Sequence, residues 1–220
     1  MSNYREGCSL TLEEIAAILS LAGKDSLVGV QSDWAETLTG QKLVSACCAL
    51  MRDKMMACID GKFRMCHELV AVMENLCHAS AVLVVTPSSN MFSQVVYYVA
   101  ERVTSMEMKG KNRYVLRSME CNELPVDLAE RMDVIFQEKA GNQQVEVIPV
   151  ETWDEQQVLL YEARFVIEQL DPDTGARNAW ARQNGDLIQW TAGGEIRSER
   201  LTESAWMRVV QFVSEGERRK

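Results

Sequence analysis

Ala81-Val82-Leu83-Val84-Val85-Thr86 run without a charge or a polar break and stop at Pro87. The stretch is too short for a membrane span, which takes about 20 apolar residues. It lacks the alternation of apolar and polar positions that marks a strand with one wet face. Such a run suits a strand covered on both sides. The rest of the chain must then supply strands beside it and layers above and below it. Composition allows this: hydrophobic residues make up 47% of the 220 and charged residues 25%. That mix belongs to a globular protein and excludes a disordered tail, a collagen-like fibre or a coiled-coil rod. At about 150 residues per domain, the length allows one large domain or two small ones.

Periodicity supplies the covering elements. Residues 11–22 read as a helix with Leu12, Ile15, Ala16, Leu19 and Ala22 on one stripe. Thr11 and Glu14 have the spacing of a capping box, and Gly23 is a natural stop. A helix is expected over 33–38 and another over 41–54, the second burying Leu43, Ala46, Cys47, Leu50 and Met51. Residues 55–59 and 62–66 flank Asp60-Gly61, the favoured dipeptide of a two-residue hairpin. Residues 67–78 return to helix, with Leu69, Val70, Met73, Leu76 and Cys77 inside.

The middle is strand-rich. The run 94–108 is long for one strand, and Lys109-Gly110-Lys111-Asn112 marks a turn before 113–119. Residues 124–139 read as a helix with Pro125 in its first turn. In the last third, 145–148 is a short strand, 151–158 a helical turn and 161–170 an extended run. Asp171-Pro172-Asp173-Thr174-Gly175 is a strong turn signal. Strands over 178–183, 187–191 and 195–200 then form a meander. A final helix starts at Thr202, with Ala205, Trp206, Val209, Val210 and Val213 facing inward.

These elements give an α+β fold: a central, mainly antiparallel sheet with flanking helices. Residues 1–140 form an N-terminal α+β half, and 141–220 a C-terminal meander plus helix, packed as one globular unit. Residues 93–139 and 161–214 share an order of long strand, turn, strand and helix, with negligible identity. That order has two explanations: a quasi-two-fold structural repeat, or the frequency of hairpins followed by helices in α+β folds.

Chemistry is sparse. The first thirty residues hold no basic-then-apolar run with a small-residue cleavage site, so no secretory leader is expected. Seven cysteines, an odd number with none after Cys121, argue against a disulfide framework and for reduced thiols in a cytoplasmic protein. Cys58, Cys66, His67, Cys77 and His78 are all metal-ligand types. However, adjacent pairs diverge and a ten-residue gap between pairs suits no zinc ribbon or finger, so no metal site is expected. Cys66 and His67 cannot act as nucleophile and base while they are neighbours. No glycine-rich phosphate loop is present: Gly193-Gly194 sits between strands and precedes no helix. No cofactor and no catalytic residue is assigned, though an enzyme with an unrecognised site stays open.

Net charge is −9, which repels a phosphate backbone unless basic groups cluster. Helix, hairpin, helix and strand over 41–86 partly follow the order of a winged helix, and Lys109, Lys111 and Arg113 make a basic turn. A winged-helix regulator is therefore the runner-up. The apolar surplus is the stronger signal. The chain carries 12 Met and 5 Trp. Met55, Met65, Met73 and Met132 fit core stripes, but Met91 and Phe92 fall in a Ser/Asn loop. Trp180 and Trp190 lie on the last meander. Either one face of that meander is an exposed aromatic partner site, or helix 202–214 covers it. Met91, Phe92, Trp180 and Trp190 are the candidate partner-binding residues.

The segments LTLEEIAAILSLAG, ALMRDKMMACIDGKFRMCHELVAVMENLCHASAVLVV and VVYYVAERVTSMEMKGKNRYVLRSM follow one another as capped helix, helix–hairpin–helix–strand and long hairpin. Over residues 10–140 this order resembles the EspG-like cytosolic chaperones of type VII secretion. The resemblance implies a quasi-symmetric α+β protein with a central antiparallel sheet and flanking helical groups. It also implies a non-enzymatic function, holding the hydrophobic tip of a helical secretion substrate until export. The similarity is one of pattern, so it assigns no contact residue.

Overall fold

The computed structural model describes residues 7–24, 26–29, 39–87, 94–132, 146–148, 165–183, 185–191 and 194–215. Its helices are α1 (Leu12–Leu21), α2 (Gly40–Arg52), α3 (His67–Cys77), α4 (Leu124–Arg131) and α5 (Glu203–Glu215). The strands of the first half are β1 (Cys8–Thr11), β2 (Met56–Ile59), β3 (Lys62–Met65), β4 (Ala81–Pro87), β5 (Val95–Val99), β6 (Val103–Lys109) and β7 (Arg113–Met119). Those of the second are β8 (Glu146–Ile148), β9 (Phe165–Leu170), β10 (Arg177–Gln183), β11 (Asp186–Trp190) and β12 (Ile196–Arg200). Ten strands make one sheet in the order β1-β7-β6-β5-β4-β9-β10-β11-β12-β8, and β2 and β3 form a separate hairpin. Every pairing is antiparallel. The expected α+β class, a sheet flanked by helices, is the observed one.

The uninterrupted run is β4, at the centre of the sheet between β5 and β9. Val82 and Val84 point to one face and Ala81, Leu83 and Val85 to the other, all at most 4% exposed. The first face packs against α1, α2 and α3 through Ile15, Ile18, Leu50, Leu69, Val72 and Met73. The second packs against α4 and α5 through Leu124, Leu128, Trp206, Val209 and Val213. This two-sided burial is why β4 needs no polar position.

β4 and β9 pair from Val82↔Leu170 to Pro87↔Phe165, so the sheet continues across residue 140. From this pair the chain runs outward on both sides. One side is β4-β5-β6-β7 with β1 at the edge; the other is β9-β10-β11-β12 with β8 at the edge. Each edge strand precedes its meander in the chain, and each meander is followed by a helix on the second face. This is the connectivity of a quasi-two-fold repeat about an axis through the β4–β9 pair, normal to the sheet. The repeat starts earlier in the chain than the 93–139 and 161–214 windows, because β4 and the edge strands belong to it.

Local corrections have plain causes. The run 94–108 is two strands, β5 and β6, turned at Glu101-Arg102, with the Ala100 amide donating to the Arg102 carbonyl at 2.9 Å. β1 was not anticipated, because Cys8–Thr11 is too short to show periodicity. Its last residue is also the helix cap. Thr11 Oγ1 accepts from the Glu14 amide at 3.2 Å, and Glu14 Oε2 accepts from the Thr11 amide at 2.7 Å. Asp60 (φ 52°) and Gly61 (φ 72°) both take the left-handed conformation of the expected tight hairpin turn. The helix expected over 33–38, the helical turn over 151–158 and the end of helix 124–139 lie outside the described residues.

Candidate partner-binding surface

The four aromatic and methionine candidates do not come together. Trp180 is 1% exposed and lies under α5, where its ring meets Phe212 edge-on at 5.5 Å. It is a core residue and cannot meet a partner: helix α5 covers the face that was a candidate aromatic site. Trp190, on the next strand, is turned to the opposite face, half-buried against Val166 and Ala181. Met91 and Phe92 lie outside the described residues.

The densest polar constellation holds α4 to the sheet. Tyr97 on β5 donates its hydroxyl to Asp127 Oδ2 at 2.6 Å, and Arg131 Nε donates to the same oxygen at 2.8 Å. Arg131 also reaches Glu107 Oε2 on β6 at 3.1 Å, and Lys109 reaches Glu107 Oε1 at 2.6 Å. Burial and the Asp127 carboxylate hold the Tyr97 hydroxyl protonated, well above its ordinary range. Burial opposes ionisation of Glu107, but Lys109 and Arg131 outweigh it and bring that carboxyl below its usual range. Burial likewise opposes the Arg131 charge, and the Asp127 and Glu107 carboxylates outweigh it in turn. Each acid faces a base and the phenol keeps its proton. The cluster is therefore a clamp, with no group poised to take or give a proton.

The metal-type side chains are separated by the fold. Cys66 and His67 open α3, and Cys77 and His78 close it. An eleven-residue helix puts its two ends about 16 Å apart. Among the described residues no group of three His, Cys, Asp or Glu side chains is placed to hold an ion. A shallow groove of 530 Å³ lies between α1 and α2, bordered by Glu13, Glu14, Lys42, Ser45 and Ala49. Its acids are already engaged: Glu14 in the cap, and Glu13 with Asn112 Nδ2 at 3.1 Å. A backbone hydrogen bond and the Asn112 and Thr11 side chains outweigh burial and hold Glu13 ionised.

What stands out is the β2–β3 hairpin with α2 beside it. Only the base of the hairpin is anchored, through Met56, 3% exposed, and the half-buried Met55 and Met65, all on the first core. From there outward, residues 57–64 are all exposed. Met56 and Cys58 on β2 stand opposite Met65 and Phe63 on β3, so one hairpin face is wholly apolar and runs from buried to exposed. Phe63 is 49% and Ile59 45% exposed. Val44, 62% exposed, and the exposed Cys48 follow at i, i+4 spacing on α2. The opposite hairpin face carries Lys62 and Arg64. An isolated two-stranded hairpin is marginal in water, and one that also exposes an aromatic ring has apolar area left to bury.

No described helix is long and apolar enough to cross a membrane. Sequence reasoning marked this hairpin by its Asp-Gly turn and placed Met55 and Met65 in the core, where they pack, but assigned no role to Ile59 or Phe63. The missed signal is its isolation, because a hairpin with no third strand to pair with can bury only its base. No family model matches the chain, and no curated protein is significantly similar to it.

Proposed function

We propose that this chain is a non-enzymatic cytoplasmic adaptor or chaperone that holds a helical polypeptide, in a type VII-like export pathway. The observation that supports this reading is the uncovered apolar face of the β2–β3 hairpin, continuous with the first core. A partner helix laid on that face would complete its burial, the helix-in-groove mode of recognition. The quasi-two-fold sheet with helices on both faces agrees with the architecture that the resemblance to EspG-like chaperones implied. The test is co-expression with a set of small helical-hairpin proteins of type VII-like pathways, followed by size-exclusion chromatography with light scattering. A soluble complex of defined stoichiometry supports the proposal; persistent failure of all of them to co-elute overturns it.

The winged-helix alternative has one observation in its favour: α2, hairpin and α3 follow the required order, with Lys62 and Arg64 on the hairpin. The would-be recognition helix argues against it. α3 (HELVAVMENLC) has no Lys or Arg and exposes Glu68 and Glu74, which repel phosphate.

A further inference from the structure

We infer that Cys8 and Cys66 form a redox-sensitive thiol pair, which a hydroperoxide converts into a disulfide joining the edge strand β1 to the start of α3. Two elements bring these thiols to one place. Cys8 pairs with Leu116 across β1 and β7, and Leu10, two residues on, is 1% exposed in the first core. Residues two apart on a strand share a face, so the Cys8 side chain lies on the face that α3 covers. α3 packs across β5, β6 and β7. Its last turns are fixed over β6, where Asn75 Nδ2 donates to Thr104 Oγ1 at 3.1 Å. From Asn75 back to Cys66 the helix runs about 13 Å, and from β6 to β1 is two strand spacings, about 10 Å. The N-terminal end of α3 thus reaches the β1 edge, and Cys66 is the residue that caps it. The charges of Cys66 and Glu68 both bear on the Cys8 thiol, which they and burial push up, as this placement requires.

Both thiols are half-buried and neither is in a disulfide. Cys66 makes no side-chain capping bond, so its sulfur is uncommitted. β1 is held by β7 alone, which leaves it room to adjust to the geometry of a bond. Cys47 and Cys48 also act on one another, but neighbours on a helix do not face each other. Among the described residues no third ligand joins Cys8 and Cys66 in a group able to hold a metal. Thiol chemistry is what the pair offers. One thiolate attacks a peroxide oxygen, the O–O bond breaks, and an alcohol or water leaves. The second thiolate then displaces the hydroxyl of the sulfenic acid as water. Two thiols and one hydroperoxide give one disulfide, one alcohol or water, and one further water; the sulfurs lose the two electrons that the peroxide gains. The Cys66 amide donates to the Met55 carbonyl at 2.9 Å, so the new bond also ties the base of the β2–β3 hairpin to the edge of the sheet.

The test uses the full chain, reduced, freed of reductant and exposed to equimolar hydrogen peroxide at about pH 8.5, near the ordinary thiol pKa. Remaining thiols are alkylated and the non-reduced peptides are mapped by mass spectrometry. The expected product is a monomer with the Cys8 peptide joined to the Cys66 peptide. Its Tm should rise by about 5–10 °C, because a loop of about 60 residues is closed, and should fall back when a thiol reductant is added. Cys8→Ser and Cys66→Ser should each lose that shift. Cys48→Ser/Cys58→Ser, which removes two exposed thiols, should keep it. The wild-type peptide map decides the matter even if a serine variant fails to fold. Cys8 and Cys66 that stay open to alkylation while the exposed thiols oxidise, or a link between them that forms only in urea, would overturn the pairing.

Discussion

Replacing Arg131 by Met keeps most of the side-chain volume and removes the charge at the centre of the α4 clamp. Arg131 donates to Asp127 at 2.8 Å and to Glu107 at 3.1 Å. A hydrogen bond to a charged group contributes about 1.5–3 kcal/mol when well buried. These groups are partly wet: the Arg131 and Asp127 side chains are 22% and 28% exposed and Glu107 is 11% exposed. Glu107 also keeps Lys109 at 2.6 Å. Taking each bond near the lower bound gives a loss of about 2–3 kcal/mol, or about 5–10 °C in Tm for a chain of this size. The loss must depend on pH. Glu107 titrates below its unfolded value of about 4.3. A depressed carboxyl stabilises the fold above its unfolded value, and that stability disappears as pH falls through the folded value. Arg131→Met removes one of the two cations responsible for the depression, so the variant has less of this stability to lose. The gap between wild type and variant should therefore be wide at pH 7 and shrink as pH falls below the unfolded carboxyl value of about 4.3. Urea unfolding followed by tryptophan fluorescence, at constant ionic strength and stepped pH, measures it. A gap that stays constant from pH 7 to 3, or a loss under about 0.5 kcal/mol at pH 7, would refute the claim that charge holds α4 in place.

Three further outcomes follow from other parts of the fold. Gly29 has φ +84°, and a Cβ there would lie 2.9 Å from Val96 Cγ1, whereas Gly23 has φ +75° and open space. Gly29→Ala should thus cost about 2–3 kcal/mol in chemical unfolding against about 1 kcal/mol for Gly23→Ala, since only the first adds a clash to the backbone strain. Trp206 is 2% exposed and meets Phe165 edge-on at 6.0 Å. Trp206→Ala should cost about 3–5 kcal/mol, and a change under 1 kcal/mol would mean that α5 does not seal the second face. Under native conditions an alkylating reagent should label the exposed Cys48 and Cys58 first, as read by peptide mass spectrometry. Cys47 and Cys77, with thiol pKa raised by burial, should lag; equal rates would contradict the packing of α2 and α3.

How much of this was legible in the sequence depended on whether the physics was local. The Thr11–Glu14 cap, the Asp60-Gly61 turn and the stripe of α5 are set by residues within one or two turns of each other and formed as read; the stripes of α1 and α3 formed in part, since α1 also buries Ala17 and Ile18 and leaves Ala22 exposed, and α3 buries Val72 and leaves Val70 half-buried. The double burial of β4 was readable because the absence of polar positions is itself local. Strand order was not. Nothing in Ala81–Pro87 says that its other neighbour is Phe165–Leu170, more than seventy residues away, and the quasi-two-fold stayed ambiguous without that pairing. The fate of Trp180 was undecidable for a similar reason. Its face is set by its register with Ile167, and whether that face is wet depends on where α5 lands.

The repeat also shows where the two halves differ. Between β1 and β4, sixty-nine residues intervene, whereas β8 and β9 are separated by sixteen. Two halves that share a meander and a following helix thus differ mainly in this connection. The long one brings α1 and α3 onto the first face, a structural role read from Ile15, Ile18, Leu69 and Met73 in the core. A cover of that kind does not need a hairpin. β2 and β3 pair with no strand of the main sheet and bury only their base, so folding alone gives little reason for their outer residues to be apolar. A short hairpin that leaves Ile59 and Phe63 in water adds exposed apolar area to the monomer without adding core. The part of the connection least explained by stability is the part that a visiting helix would explain, which places the proposed binding surface on the element that breaks the symmetry of the two halves.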